Sequence, residues 1–203
     1  MRITVFDTPV VCQLLSVLAW LVLKLTGWKV KRQKPVTRRF VMIGAPHTSN
    51  WDFVIFMGVA LQMRMPMFWL GKSSLFKGPM GPIMRYLGGI PVHRERNSNL
   101  VNQAAAAFCC HKRFVLALAP EGTRSHVTKW KTGFWHIAQE AKVPVIPAYV
   151  DFSQKLAGIG PAYKLTGDKQ QDIANLQAFY APYKGKIPQQ QPTLVANFKT
   201  GTH

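Results

Sequence analysis

The sequence predicts a single α/β domain, with a mostly parallel central sheet flanked by helices and a membrane-associated helix at its N-terminus. Three observations predict it. From residue 40 onward, apolar runs of strand length alternate with helical patterns, as expected of parallel strands joined by crossover helices. Polar clusters rich in His, Arg and Glu follow three of those runs, where an open α/β sheet carries its ligands. Ahead of them, an uncharged apolar run from Pro9 to Leu23 gives way to Lys24, Lys29, Lys31, Arg32, Lys34, Arg38 and Arg39.

The N-terminal run is shorter than the roughly 20 residues that span a bilayer comfortably, and no small-x-small cleavage site follows it. Trp20 and Trp28 suit the headgroup level. The pattern reads as a helix lying in, or dipping into, the cytoplasmic leaflet, with basic residues on anionic headgroups. A buried first helix of a soluble domain is the alternative. Residues 1–34 are therefore set apart as a membrane-associated segment, and residues 35–203 as the α/β domain. The expected location is the cytoplasmic face of a membrane, peripheral or monotopic (the inner membrane in a bacterium).

Within the domain, Phe40 to Gly44 reads as a buried strand and Phe53 to Met63 as a helix, with Asn50 as its cap. Met67 to Leu70 is a second strand. Gly71 to Gly81 is a loop, and Pro82 to Leu87 a short helix opened by proline. Ile90 to Val92 is a short strand, placed at an edge or a strand start by Pro91. Ser98 to His111 is a helix, Phe114 to Ala119 a buried strand, Gly133 to Ala141 a helix and Val145 to Val150 a strand. Gly158 to Leu165 is a hairpin or an irregular return. Asp168 to Tyr180 is a helix, and an extended tail follows from Pro182.

The charge narrows the partners. Among 203 residues, 26 Lys and Arg face 8 Asp and Glu, for a formal charge of +18, while 48% of the residues are hydrophobic. That apolar content excludes a disordered basic tail. A chain both basic and oily fits an anionic surface with an apolar part; anionic lipid comes first and nucleic acid second. Cys12, Cys109 and Cys110 form neither a disulfide framework nor a metal spacing.

The polar clusters carry the chemistry. His47 and Asp52 sit five residues apart on the first strand-to-helix turn. On a regular helix they would point about 140° apart, so they converge only if the turn bends between them. Converged, Asp52 holds one ring nitrogen of His47 and leaves the other as a base; otherwise they are a capping histidine and a first-turn acid. In the Pro120 to Ser125 turn, Gly122 permits close backbone approach or a φ > 0 turn. Thr123 and Ser125 offer hydroxyls, Arg124 can bind phosphate bidentately, and Glu121 can accept a hydroxyl or orient Arg124. A polar loop with a local Glu-Arg pair is the alternative. Arg94 is a second phosphate ligand or a solvated surface arginine. The sequence has no Gly-x-Ser-x-Gly elbow, no nucleotide-triphosphatase phosphate loop, no dinucleotide fingerprint and no metal-ligand cluster. A base and phosphate-binding arginines without a nucleophile suggest direct transfer of an activated acyl group to a substrate hydroxyl.

These clusters resemble the blocks of the glycerolipid acyltransferase family, of the lysophosphatidic acid acyltransferase type. His47-Thr48-Ser49-Asn50-Trp51-Asp52 is similar to the His-x-x-x-x-Asp box. Gly88 to Arg94 resembles the second block, Pro120 to Ser125 the third, and Val143 to Pro147 the fourth, which is associated with the acyl donor or with core packing. Lys72 falls where the family often carries a lysine. Pro46, Pro91 and Ala119 depart from the usual pattern, which bears on the acceptor rather than the reaction.

The resemblance implies His47 and Asp52 as the catalytic pair, and Arg94, Glu121, Gly122, Thr123, Arg124 and Lys72 as substrate-binding residues. Lys72 and turn amides are candidate oxyanion donors. It further implies acyl-CoA or acyl carrier protein as donor, a lysophospholipid acceptor, no separate cofactor or metal, and no nucleic-acid partner. An acyltransferase for a non-phosphorylated lysolipid such as lyso-ornithine lipid is the rival enzyme. A basic membrane- or nucleic-acid-binding module is the rival without catalysis. Trp130 to Trp135 could line a lipid entrance, with Phe134 in the core.

Overall fold

Alternation along strand β2 (Arg39–Gly44) sets the architecture. Phe40 and Met42 join one apolar cluster and Val41 and Ile43 another, on opposite faces of the strand, and all four are buried. A strand buried on both faces needs helices over both, the usual setting of a parallel sheet. The computed structural model describes residues 3–33, 35–92 and 100–192. Its other strands are β1 (Lys29–Lys31), β3 (Met67–Lys72), β4 (Gly89–Val92), β5 (Phe114–Leu118), β6 (Val145–Asp151) and β7 (Leu156–Ile159). They form one sheet in the order β1-β7-β6-β2-β5-β3-β4. Strands β2 to β6 all run parallel, β7 turns back antiparallel on β6, and β1 runs parallel to β7.

The helices are α1 (Pro9–Leu25), α2 (Asn50–Gln62), α3 (Met80–Tyr86), α4 (Leu100–Cys110), α5 (Gly133–Glu140) and α6 (Lys169–Tyr180). Helices α1, α2 and α3 cover one face, where Cys12, Met57, Ala60 and Met84 pack with Phe40, Met42, Trp69 and Phe76. Helices α4, α5 and α6 cover the other, where Phe108, Phe134, Ile137 and Leu176 pack with Val41, Ile43 and Leu116. Helix α1 crosses α2 closely: a Cβ on Gly58 would lie 3.3 Å from Leu23 and 3.5 Å from Ala19. The outer face of α1 stays exposed, through Val10, Leu14, Val17, Leu18, Leu21 and Leu25. None of the described helices is long and apolar enough to cross a membrane.

Several elements differ from the sequence expectation. Residues 29–31, set apart with the N-terminal segment, form the edge strand of the sheet beside β7. Helix α3 opens at Met80, because Pro82 falls within its first turn, where a missing N–H costs no helical bond. The return after β6 begins earlier than expected, at Leu156, and makes a true antiparallel hairpin. Pro91 does lie on an edge strand. Ser98, the expected cap of α4, lies outside the described residues.

Candidate active site

Strands β2 and β5 are neighbours, with Ile43 opposite Leu118, so the turns leaving their carboxyl ends meet. Residues 75 positions apart in sequence are thereby brought together. In the first turn the Ala45–Pro46 bond is cis. His47 follows, outside α2, and Asp52 is the third residue of that helix. Ser49, rather than Asn50, caps α2: its backbone is extended, and its Oγ accepts the Trp51 N–H at 3.2 Å. The Asp52 carboxylate reaches back out of the helix, and its Oδ2 accepts the N–H groups of Thr48 and Ser49, each at 2.7 Å. The same oxygen lies 3.3 Å from His47 Nδ1. The cap therefore supplies the bend that convergence requires. The His47 side chain is 28% exposed and that of Asp52 only 7%, so the imidazole faces solvent from a shielded carboxylate.

Glu121 enters from the second turn. It is 1% exposed, and both of its carboxylate oxygens accept the His47 backbone N–H, each at 3.1 Å. Burial pushes its carboxyl up from an ordinary 4.5 to about 7, opposed by the His47 N–H and the His47 ring and reinforced by the Asp52 charge. Grouped by resemblance with the acceptor ligands, Glu121 here holds the backbone of the candidate base and turns no surface outward.

Gly122 has φ +67°, and a Cβ there would lie 2.7 Å from Lys131 Cδ and Cε, so the lysine stem lies against this turn. Thr123 is exposed, and its Oγ1 accepts the Ser125 N–H at 3.3 Å. Exposed Arg124 donates through Nη1 to Asn50 Oδ1, which sets a guanidinium beside the first turn of α2. Lys72 ends β3, at the same end of the sheet but with β5 between it and β2. Arg94, with His93, Glu95 and Arg96, lies outside the described residues; β4, which leads to it, is at the sheet edge. Trp130 and Trp135 are buried with Phe134, and Trp130 lines a small cavity with Ala45, Pro46, Glu121 and Tyr180. Asp151 is buried on Ser153 and Gln154 at the β6–β7 turn. Among the described residues, no three His, Cys, Asp or Glu side chains group to hold a metal ion.

A strap of residues 183–192 was not foreseen as part of the site. Ile187 N–H donates to Thr48 Oγ1 at 3.2 Å. With its amide nitrogen turned inward, Gln190 donates to the Thr48 carbonyl at 3.0 Å and the Arg124 carbonyl at 2.8 Å, joining the two turns. Gly185 presses on Thr48: a Cβ there would meet Oγ1 at 2.6 Å. Exposed Lys186 sits with Nζ 5.2 Å from the Trp51 ring centre. At the base of the strap, the buried Tyr180 hydroxyl donates to the carbonyls of Ile43 at 2.6 Å and Ala148 at 3.1 Å.

The sequence profile of the Acyltransferase family matches residues 27–151, which include both turns. The chain belongs to the acyltransferase family. The strap lies beyond the matched stretch of this acyltransferase-family chain. The chain is similar to the 1-acyl-sn-glycerol-3-phosphate acyltransferases of Salmonella typhimurium and Escherichia coli. Each is 30% identical over 135 residues, a match covering 62% of this chain and 54% of theirs. Human 1-acyl-sn-glycerol-3-phosphate acyltransferase beta is 34% identical over 89 residues, covering 40% of this chain and 32% of its own. The chain thus spans about half the length of the bacterial relatives it matches. The crystal structure of the 1-acyl-sn-glycerophosphate (LPA) acyltransferase PlsC from Thermotoga maritima shares the fold. Its TM-score is 0.58 at 17% identity, covering 86% of this chain and 82% of that one.

Proposed function

We propose that the protein is a membrane-associated O-acyltransferase that moves a fatty acyl group from acyl-CoA or acyl carrier protein to the hydroxyl of a lysophosphatidate-like acceptor. The observation that carries this reading is the 3.3 Å approach of solvent-facing His47 to the shielded Asp52 carboxylate, on a turn at the carboxyl ends of two adjacent parallel strands. Asp52 fixes the ring with Nδ1 protonated and stabilises the imidazolium. Nε2 takes the proton of the acceptor hydroxyl as its oxygen attacks the thioester carbonyl. The tetrahedral intermediate collapses by breaking the C–S bond, and the thiolate leaves with the proton from His47. A thioester is already activated, so positioning and base catalysis carry much of the step.

Glu121 keeps the His47 turn in place from behind. Arg124, beside the positive end of α2, receives the acceptor phosphate, with Arg94 and Lys72 as further cations. Exposed Trp51 and Val54, on the first turns of α2, give the acceptor's acyl chain an apolar approach. The exposed apolar face of α1 lies on the cytoplasmic leaflet, flanked by its basic residues.

The test is a radiolabelled acyl-transfer assay on purified protein, with acyl-CoA and acyl carrier protein thioesters and a panel of lysolipids that includes lysophosphatidate and lyso-ornithine lipid. His47→Ala is expected to lower transfer about 10²- to 10⁴-fold while leaving vesicle binding intact. Transfer to lyso-ornithine lipid but not lysophosphatidate would remove the phosphate from the acceptor. Full activity of His47→Ala would remove the enzyme reading.

A further inference from the structure

The exposed apolar side chains are unevenly distributed. Besides those of α1, Leu75, Met80 and Ile83 stand 50%, 50% and 49% exposed on the short stretch between β3 and β4. Met80 and Ile83 are three residues apart on α3 and share a face. Leu75 projects from the single 3-10 turn Ser73–Phe76 that precedes it. None of the three packs into an apolar cluster of the core.

The frame beneath them is tightly built. Phe76 is buried against Trp69, with ring centres 5.6 Å apart. Arg85 Nη1 donates to the Phe76 carbonyl at 3.0 Å, and Arg85 Cζ lies 5.4 Å from the Phe76 ring centre. Gly81 allows α3 to sit on that carbonyl, where a Cβ would come within 2.4 Å. Three apolar tips are thus presented outward by a fixed platform rather than by a loose loop.

The platform lies on the same side of the sheet as α1. Phe76 and Met84 share an apolar cluster with Cys12 and Leu15, and the Thr8 and Tyr86 hydroxyls are hydrogen-bonded, tying the start of α1 to the end of α3. Among the described residues, charge on this side is almost entirely of one sign. From Thr8 to Val92 the only acidic residue is Asp52, and it is buried. Exposed Lys24, Arg64, Lys72 and Lys77 lie in the same stretch. Asp7, at its border, turns its carboxylate onto Thr4. Exposed Glu140 and Asp168 belong to α5 and the start of α6, on the opposite layer.

We infer that the protein meets an anionic phospholipid bilayer at two points, α1 and the Leu75–Met80–Ile83 platform. Together they lay the whole α1–α3 layer against the lipid. An apolar surface whose exposed charged neighbours among the described residues are, Asp7 apart, all cations matches a bilayer surface of negative headgroups over hydrocarbon. The inference builds on the proposed lipid contact of α1 and adds a second foot, which fixes how the molecule is oriented. With two contacts the protein cannot roll about the α1 axis, and Trp51 and Val54, on α2 of the same layer, stay at the lipid boundary.

The test compares the full chain with two triple variants, Leu75→Ser/Met80→Ser/Ile83→Ser and Leu14→Ser/Leu18→Ser/Leu21→Ser. Each is co-sedimented with phosphatidylcholine vesicles with and without phosphatidylglycerol. The platform variant is expected to bind the anionic vesicles about tenfold more weakly or worse. It should keep its circular dichroism and its acyl transfer to a water-soluble short-chain lysolipid, and lose transfer to a vesicle-embedded one. Ile83→Trp, which only adds apolar surface, should bind the same vesicles more tightly and covers the case in which the serine variant does not fold. Unchanged binding by both platform variants, with binding lost in the α1 variant, overturns the second foot and leaves α1 as sole anchor. Unchanged binding by every variant overturns the α1 contact as well. A sedimentation shift from dimer to monomer in the platform variant without lipid also overturns the inference, since the platform is then a face between two copies.

Discussion

Replacing Glu121 with Gln tests the least intuitive part of the site. The folded protein holds the Glu121 proton up to about pH 7, whereas the ordinary value is 4.5. Below 4.5 the carboxyl is neutral in both states and its burial adds no ionisation penalty. As pH rises toward 7 the unfolded chain releases the proton first. The folded state then binds more protons, and stability falls. Above 7 the carboxylate is buried with its charge, and the penalty is complete. The interval from 4.5 to about 7 corresponds to about 3 kcal/mol. Gln has the same shape, keeps an oxygen for the His47 N–H and never ionises. Other titrating groups are common to both proteins, so the difference between their stabilities isolates this one residue. Urea unfolding at pH 4.5 and at pH 8 should show Glu121→Gln gaining on the wild type by about 3 kcal/mol between the two conditions. A stability difference that does not change with pH would refute the reasoning, as would one that moves in favour of the wild type. Either result would mean that hydrogen bonding to the carboxylate outweighs its desolvation.

Other substitutions probe the supports around this carboxylate. Ser49→Ala removes the cap of α2 and should cost about 1 kcal/mol in chemical denaturation, with a fall in kcat because the His47 turn loosens. Tyr180→Phe removes the hydroxyl that donates to the Ile43 and Ala148 carbonyls, the second of which keeps the Ala45 N–H, and should cost about 1 kcal/mol by the same measurement. Gly122→Ala forces a Cβ onto the Lys131 stem at a positive φ. It should cost about 1–2 kcal/mol and raise the KM for the acceptor by displacing Arg124, read from thermal denaturation and initial rates.

Much of the fold was legible because strands buried on both faces read as continuous apolar runs. Phe40 to Gly44, Phe114 to Ala119 and Val145 to Val150 all show this, and each lies centrally in the sheet. Lys29-Val30-Lys31 escaped because a three-residue edge strand buries little, and its lysines resemble a membrane-flanking basic patch. The convergence of His47 and Asp52 was legible as a requirement but not as a mechanism. The bend comes from Ser49 and two backbone amides, whereas the sequence pointed to the neighbouring Asn50 as the cap. The role of Glu121 was hidden for a physical reason. A glutamate in a Gly-Thr-Arg turn looks exposed in sequence, and only the pairing of β2 with β5 shows it sealed behind His47. The strap was invisible, because its hydrogen bonds to the two turns run through the Ile187 N–H and the amide of Gln190, which leave no pattern in residue type.

The strand order also governs when this site can exist during synthesis. Arg39 pairs with Phe114 and Val41 with Val145, so the central strand must wait for two distant partners while the ribosome works. Such long-range pairing makes assembly slow and leaves the nascent chain exposed. Helix α1 needs no such partner to form and emerges ahead of these strands. The apolar face proposed to rest on lipid is therefore available to a bilayer before any core exists to compete for it. The His47 turn, by contrast, has only its local cap bonds at first and gains its support from behind late in folding, after β6 and then Tyr180 have arrived. A chain arrested before residue 145 would carry the His47–Asp52 pair, its local cap and Glu121, but neither β6 nor Tyr180 to brace the strand they hang from.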